Sequence, residues 1–233
     1  MISIIIPVYN QADKLISTLK SLALQTINDY EVIIVNDGST DQVVEKFTAY
    51  SKTIISSNKY LFISQDHAGA PAARNHGLKE AKGDYLFFCD ADAVLQPEAL
   101  ETMINTLNIQ STASYAYSSF LWGRKLFKVG AFDPEKLKKT PYINTMALIR
   151  RADFPEVAWD ERLKKFQDWD LWLTMLERGK VGVWVPQVLF KIAPGGQISS
   201  WLPSFIYKLF PFLKTVKKYQ QALKIIKDKH GLS

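Results

Sequence analysis

Four short, mainly apolar runs, at residues 2–8, 31–36, 60–64 and 85–89, constrain this chain more than any other feature of its sequence. Each has the length of a strand, and none shows the apolar–polar alternation of a strand with one wet face, so they read as strands buried on both sides. Segments of helical spacing separate them. Leu15, Ile16, Leu19, Leu22 and Ala23 recur with a helical period after the first run, and helices are expected at 42–50 and 70–81 after the second and third. Strand and helix in alternation predict an α/β fold with a parallel sheet covered on both faces. Asn10 is read as the N-cap of the first helix, and the polar cluster 37–41 as both a turn and the cap of the second.

The second half is less regular. Pro97 opens a helix to about residue 107. Strands are expected at 114–120 and 145–149 around a Lys-rich turn-helix at 134–139. An amphipathic helix at 168–177 is stopped by Gly179, and a short strand at 181–185 leads to a loop at 194–197.

Hydrophobic content of 47% and charged content of 22% are those of an ordinary folded protein. The single cysteine, Cys89, lies inside an apolar run, forms no internal disulfide, and fits a reducing cytosol. No basic leader precedes the first run, and no stretch approaches the roughly 20 apolar residues that span a bilayer. The expectation is a cytoplasmic protein. Its charge is localised: residues 201–233 hold seven lysines and one aspartate, and removing these from the chain's 29 basic and 23 acidic residues leaves 22 of each.

Ligands of open α/β sheets sit beyond the carboxyl ends of the strands. Asp90 and Asp92 follow the fourth run there, and two hard oxygen donors suit Mg²⁺ or Mn²⁺ shared with nucleotide phosphates; as an isolated pair they would also suit a turn. Pro7, Tyr9 and Asn10 leave the first run at the same edge. Tyr9 can stack on a base or be a boundary aromatic. Asp37 can accept from a uracil imide or a ribose hydroxyl, or simply turn the chain. Arg74, early in a helix, can offset a diphosphate or form a surface ion pair. Asn75 and Gly77 read as structural.

Taken together, Ile4-Ile5-Ile6-Pro7-Val8-Tyr9-Asn10, Val35-Asn36-Asp37-Gly38-Ser39-Thr40-Asp41, Ala73-Arg74-Asn75-His76-Gly77 and Asp90-Ala91-Asp92 resemble the nucleotide-sugar-binding half of inverting family-2 glycosyltransferases. The resemblance implies a GT-A-like, Rossmann-type sandwich with a mostly parallel central sheet over residues 1–200. Residues 1–100 would bind the donor and 101–200 the acceptor, with 201–233 as a basic helical extension. It also implies that Pro7, Tyr9, Asn10, Asp37, Arg74, Asp90, Ala91 and Asp92 contact a nucleotide sugar, a UDP-sugar by family habit, and that Asp90 and Asp92 hold Mn²⁺ or Mg²⁺.

Gln167-Asp168-Trp169-Asp170 resembles the family's Glu-Asp-Trp-Asp segment, which makes Asp168 the base that deprotonates the acceptor hydroxyl. By position alone, Asp168 would be an N-cap and Asp170 a first-turn acid. Trp169, Lys191 and Gln197 map to acceptor or lid positions, and Asp160-Glu161 to an acceptor-side or structural pair. Three positions depart from the pattern: Ala93 replaces a third aspartate, Gln167 a glutamate, and Ala193 a histidine. Losing the carboxylate at 167 is expected to leave Asp168 less basic.

The implied activity is inverting transfer of one sugar to a glycan or lipid-linked acceptor, as in polysaccharide and cell-envelope biosynthesis. The competing reading is a non-catalytic nucleotide-sugar or glycan-binding module. The tail's lysines suggest either a solvated face or an interfacial helix on anionic lipid at the inner membrane face. Charge confined to one tail argues against nucleic acid. The sequence has neither G-x-G-x-x-G after the first run nor a phosphate-binding G-x-x-x-x-G-K-[ST] loop, which argues against dinucleotide and P-loop enzymes.

Overall fold

The computed structural model describes residues 1–53, 59–156, 158–194 and 212–232. The four apolar runs become β1 (Ile2–Val8), β2 (Tyr30–Asp37), β3 (Tyr60–Gln65) and β4 (Tyr85–Phe88), which lie in the order β3-β2-β1-β4 and are all parallel. Their connections are α1 (Ala12–Ala23), α2 (Val43–Ser51) and α3 (Ala70–Glu80). The sheet then continues through β8 (Leu148–Arg150), β6 (Tyr115–Trp122), β9 (Gly182–Ile192) and β5 (Ala93–Leu95), while β7 (Lys125–Phe127) pairs with β6. Strands β1, β2, β3, β4, β6 and β9 point one way, and β5, β7 and β8 the other. The sheet is mixed and mostly parallel, in an α/β fold.

Burial explains why these runs became strands. Along β1, Ile4 and Ile6 enter an apolar layer with Leu15, Leu19 and Leu22 of α1 and with Leu100 and Met103 of α4 (Ala99–Ile109). Ile5 faces the opposite layer with Ala73 of α3 and with Trp169, Trp172 and Leu173 of α6 (Gln167–Glu177). Each such aliphatic chain contributes about 1.5–3 kcal/mol by leaving water, which is why a doubly covered strand has no use for alternation. Gly77 lets α3 lie close on the sheet, since a Cβ there would come within 2.6 Å of Ile5 Cγ2.

Four elements differ from expectation. The two three-residue strands β5 and β7 are too short to leave a periodic signal. Strand β8 begins at Leu148, later than residue 145, where it slots antiparallel between β4 and β6. Strand β9 runs to Ile192, well past residue 185. Pairing skips from Val185 to Val188 opposite Ser118 and Ser119, because Pro186 has no N–H to give the ladder. Beyond that bulge β9 reaches β5, where Ala193 N–H donates to Asp92 O at 2.9 Å.

Helix α5 (Pro134–Lys139) is capped by Asp133, which accepts from Lys136 N–H. Helix α7 (Lys214–Lys229) is part of the packed body: Val216, Ala222 and Ile226 are buried, and Ile226 joins the layer beneath α6. Its C-terminal end is clamped to α6. His230 Nε2 lies 2.8 Å from Asp170 Oδ1 and its Nδ1 2.7 Å from Glu177 Oε1, while Lys229 Nζ bridges Asp170 and Asp160 at 2.9 and 3.2 Å. Burial works to lower the His230 pKa, but the two carboxylates outweigh it and hold it above the usual imidazole range. The helix C-terminus favours the cation as well.

A raised imidazole value contributes stability that is fully present below about pH 6.5 and is lost as pH climbs through the folded value. His230→Ala should therefore lower Tm by about 2–6 °C at pH 6 and by clearly less at pH 9. An equal loss at both pH values in thermal melts would show that the cationic form contributes nothing.

Candidate active site

The carboxyl ends of β1, β2 and β4 converge. Just past β1, Asn10 adopts a left-handed backbone (φ 52°), which Asn tolerates better than most residues. Its Oδ1 accepts from Thr40 N–H at 2.8 Å and from Asp41 N–H at 3.3 Å, tying the β1 exit to the β2 exit. Asp41 reciprocates, its Oδ2 accepting from Ala12 N–H at 2.8 Å. The capping expectation is corrected in both places. Asn10 does not cap α1; Asp41 does so from across the loop, and α2 starts at Gln42 with no side-chain cap.

Asp37 is buried at the end of β2. Its Oδ1 accepts from Gln65 Nε2 (2.8 Å) and Ala68 N–H (2.9 Å), and its Oδ2 from Gly69 N–H (2.9 Å). His67 Nδ1 is also 2.9 Å from Oδ2. Asp37 thus fixes the loop that opens α3. Tyr9 stacks on the His67 ring with centroids 3.9 Å apart. Pro7 sits within β1, paired with Val35.

Asp90 and Asp92 lie beyond β4, separated by Ala91, whose carbonyl accepts from Thr18 Oγ1 at 2.9 Å. Asp92 is 3% exposed, and its Oδ2 has no hydrogen-bond partner; Lys14 Nζ is 3.8 Å from that oxygen. Burial first, then the charge of Asp90, push the Asp92 pKa up to about 6, against a smaller lowering by Lys14. Asp90 is likewise raised by burial, which the Arg74 charge opposes. Two destabilised carboxylates, one with an oxygen that lacks a hydrogen-bond partner, fit a hard divalent cation that shares phosphate ligands. No cluster of three or more such ligands occurs among the described residues, so phosphate or water would have to complete the shell. Ala93 is fully buried in the apolar layer with Phe190. A carboxylate there would stand unpaired in the core, so this departure subtracts no accessible ligand.

Arg74 joins the donor edge to the second half. Its Nη2 donates to Asp90 Oδ1 at 3.2 Å and its Nη1 to Gln167 Oε1 at 3.0 Å, with the guanidinium 4.6 Å from the Trp159 ring centroid. At 6% exposure it is a buried cation bonded within the site, which sets aside the alternative of a surface ion pair. Gln167 accepts this bond without cancelling the arginine's charge.

Asp168 follows, partly exposed, its Oδ1 accepting from Trp169 N–H at 2.8 Å. It does not cap α6; Phe166 holds the cap position, left-handed at φ 61°. Burial raises the Asp168 pKa, the Trp169 bond and Arg74 lower it, and Asp90 raises it further. Desolvation therefore keeps Asp168 above the ordinary carboxylate value even with an uncharged residue at 167.

Trp169 is 1% exposed and donates its indole N–H to Leu137 O, so it is a core residue and not a surface for a sugar ring. Lys191 is exposed on β9 and paired with Val94 of β5. Gln197 lies outside the described residues. Asn75 is structural, bonded to Trp159 O and Glu161 Oε1, and Asp160 pairs with Arg162 and Lys229. Nothing in the sequence pattern singles out His67, or Phe166, whose ring meets that of Tyr219 edge-on with centroids 5.0 Å apart. The left-handed cap and the stacked imidazole arise from tertiary contacts and leave no periodic trace.

An Asp raised to about 6 binds its proton more tightly folded than unfolded, so its ionisation subtracts stability as pH rises from about 4 to 6 and the loss persists above. Asp92→Asn should raise stability at pH 7 by about 1–3 kcal/mol and give little gain at pH 4. Urea midpoints at the two pH values test this; no gain at pH 7 would remove the destabilised carboxylate from the account.

Over residues 3–158 the sequence matches the family described as glycosyl transferase family 2. An uncharacterized glycosyltransferase of Rickettsia conorii is 27% identical over 191 residues, covering 78% of this chain and 31% of that protein. Glycosyltransferase GlyA of Streptococcus pneumoniae serotype 4 is 38% identical over 102 residues, covering 44% of this chain and 14% of its own length. The chain thus spans less than a third of these two relatives. Among solved structures, S. aureus TarS 1-349 in complex with UDP-GlcNAc aligns with TM-score 0.73 at 19% identity, covering 100% of this chain and 73% of that one. The mannosyltransferase PcManGT from Pyrobaculum calidifontis, in complex with GDP-Man and Mn²⁺, aligns with TM-score 0.66 at 18% identity, covering 82% and 56%. The structural likenesses establish a GT-A-like fold, and the sequence match covers well over half of the residues. The chain belongs to glycosyl transferase family 2.

Proposed function

We propose that this chain transfers a single sugar from a nucleoside-diphosphate donor, a UDP-sugar, to a hydroxyl of a glycan or lipid-linked acceptor with inversion, Asp168 acting as the base. The observation that carries this reading is the Asp90–Arg74–Gln167 bridge, which holds the donor-edge carboxylate and the turn bearing Asp168 in one frame. UDP and UDP-GlcNAc in the TarS complexes, and GDP-Man with Mn²⁺ in PcManGT, support a nucleotide-sugar donor and a divalent cation.

In this reading, Tyr9 and Asp37 bound the base site, with Pro7 and Asn10 shaping the same β1 exit. Asp90 and Asp92 hold Mn²⁺ or Mg²⁺ at the diphosphate. When bound, the cation would offset the negative charge that develops on the departing nucleoside diphosphate. Asp168 takes the acceptor hydroxyl proton at its carboxylate as the sugar carbon is attacked from the face opposite the leaving group; a single displacement needs no covalent intermediate. Its raised pKa makes it the stronger base once ionised. The half-buried turn and the buried Arg74 exclude water from the path between base and donor. Lys191, exposed on β9, is proposed to offset phosphate charge of the donor.

The basic extension supplies the acceptor's setting. On α7, Lys217, Lys218 and Lys224 are exposed beside Ile225, and no helix among the described residues is long and apolar enough to cross a membrane. We place this face on an anionic lipid surface at the cytoplasmic side, where each nearby lysine adds about 1 kcal/mol.

Release of nucleoside diphosphate from a panel of nucleotide sugars with Mn²⁺ tests the assignment. Asp168→Asn should lower turnover by about 10²–10⁴-fold with UDP affinity kept, and Asp92→Asn should weaken cation-dependent UDP binding. Wild-type protein that binds a donor yet releases nothing, with lipid-linked acceptors supplied, would favour the binding-module alternative.

A further inference from the structure

His67 stands where Tyr9 and Asp37 face each other. Its ring stacks on Tyr9 with centroids 3.9 Å apart and planes at 22°. Its Nδ1 lies 2.9 Å from Asp37 Oδ2 and 3.1 Å from Asp37 O. Both partners only accept, so Nδ1 carries the hydrogen. A flat ring that stacks on the tyrosine, donates its ring N–H to the Asp37 carbonyl and stands within ion-pair distance of the carboxylate occupies the space that a nucleobase would need there.

Counting the bonds on Asp37 sharpens this. A carboxylate offers about four acceptor positions; that of Asp37 accepts three hydrogen bonds, from Gln65, Ala68 N–H and Gly69 N–H, and the imidazole Nδ1 stands 2.9 Å from Oδ2, in the way of a fourth donor. The two backbone donors fix the loop, and Gln65 is itself held by His76 Nδ1 at 2.8 Å from its Oε1. Of these groups, the His67 imidazole is the one on a half-exposed side chain, 51% accessible. A base that bonds Asp37 must replace the imidazole. The same holds on the face of Tyr9 that the imidazole covers, because two rings in stacking contact leave no room for a third between them.

We propose that His67 is a built-in placeholder for the donor's nucleobase: imidazole and base exclude one another on Tyr9 and on Asp37 Oδ2, and donor binding exchanges one for the other. This rests on the reading of Tyr9 and Asp37 as the base site. The exchange needs no loop opening. Residues 68 and 69 stay bonded to Asp37, and Gly38 packs so near His67 that a Cβ on it would lie 2.7 Å from His67 N, at a backbone (φ +69°) that side chains rarely adopt. The ring leaves by rotation into solvent, a ps–ns motion for an exposed side chain. The consequence is a lowered apparent donor affinity, in proportion to the fraction of time the imidazole spends stacked. It also keeps Tyr9 and the Asp37 oxygen partnered between turnovers.

Calorimetric titration of the full chain with UDP and Mg²⁺, for wild type, His67→Ala, Tyr9→Ala and Asp37→Asn, tests the exchange. His67→Ala should bind UDP about tenfold more tightly, as expected if the ring is stacked about nine-tenths of the time, and should bind pyrophosphate with unchanged affinity. In wild type, UDP should shift the His67 ring resonances out of the Tyr9 ring current, and pyrophosphate should leave them in place, a readout that needs no variant. Equal or weaker UDP binding by His67→Ala, with Tyr9→Ala still weakening it, would overturn the placeholder and make His67 a wall of the site. UDP affinity untouched by both Tyr9→Ala and Asp37→Asn would instead remove the base-site reading, and the placeholder with it.

Discussion

Arg74 reaches from α3 to two segments far apart in sequence, donating to Asp90 at the end of β4 and to Gln167 at the start of α6. The geometry of the whole site follows from that one guanidinium. It is buried, so its charge must be compensated locally, and breaking one arm of such a pair usually costs several times more than the pair contributes. Asp90 supplies the compensation, at the expense of an acidity that burial erodes. A glutamate at 167 would compete with Asp90 for the same charge. The glutamine accepts the bond and brings no second negative charge to it.

The opposite side of the α6 turn is held by packing rather than charge. Phe166 adopts a backbone conformation that side chains rarely take, and such strain persists only where the surroundings over-determine it. Tyr219 of α7 meets its ring from one side and Trp169 from another, with centroids 5.0 and 5.6 Å away. Lys229 and His230 then grip Asp170 one helical position beyond Trp169. The C-terminal helix is therefore a brace for the turn that carries Asp168. Its inner face packs and pairs, while its outer face is left basic.

The edge at which the candidate site forms was legible in the sequence. Residues at the carboxyl ends of consecutive parallel strands must converge, so Tyr9, Asn10, Asp37, Asp90 and Asp92 could be gathered at one edge from the positions of four apolar runs. Their individual bonds could not. Asn10 ties two loops together instead of capping a helix, and Asp41 caps a helix from a different loop, because a cap needs only an oxygen within reach and sequence distance does not enter. Trp169 looked like a sugar platform and is core, since helical spacing fixes only which residues share a face, not what that face meets. Strand β9 was read too short because Pro186 interrupts the pairing without ending the strand.

The sequence by itself determined the α/β alternation, the doubly buried strands and the edge where the carboxylates meet, because burial and period are local properties that residue order encodes. The tertiary structure alone decided three things. It set Arg74 between Asp90 and Gln167, it brought α7 against the Asp168 turn, and it laid His67 on Tyr9. Each is a contact between segments whose separation along the chain carries no periodic signal, fixed only when the sheet closes and the helices find their faces.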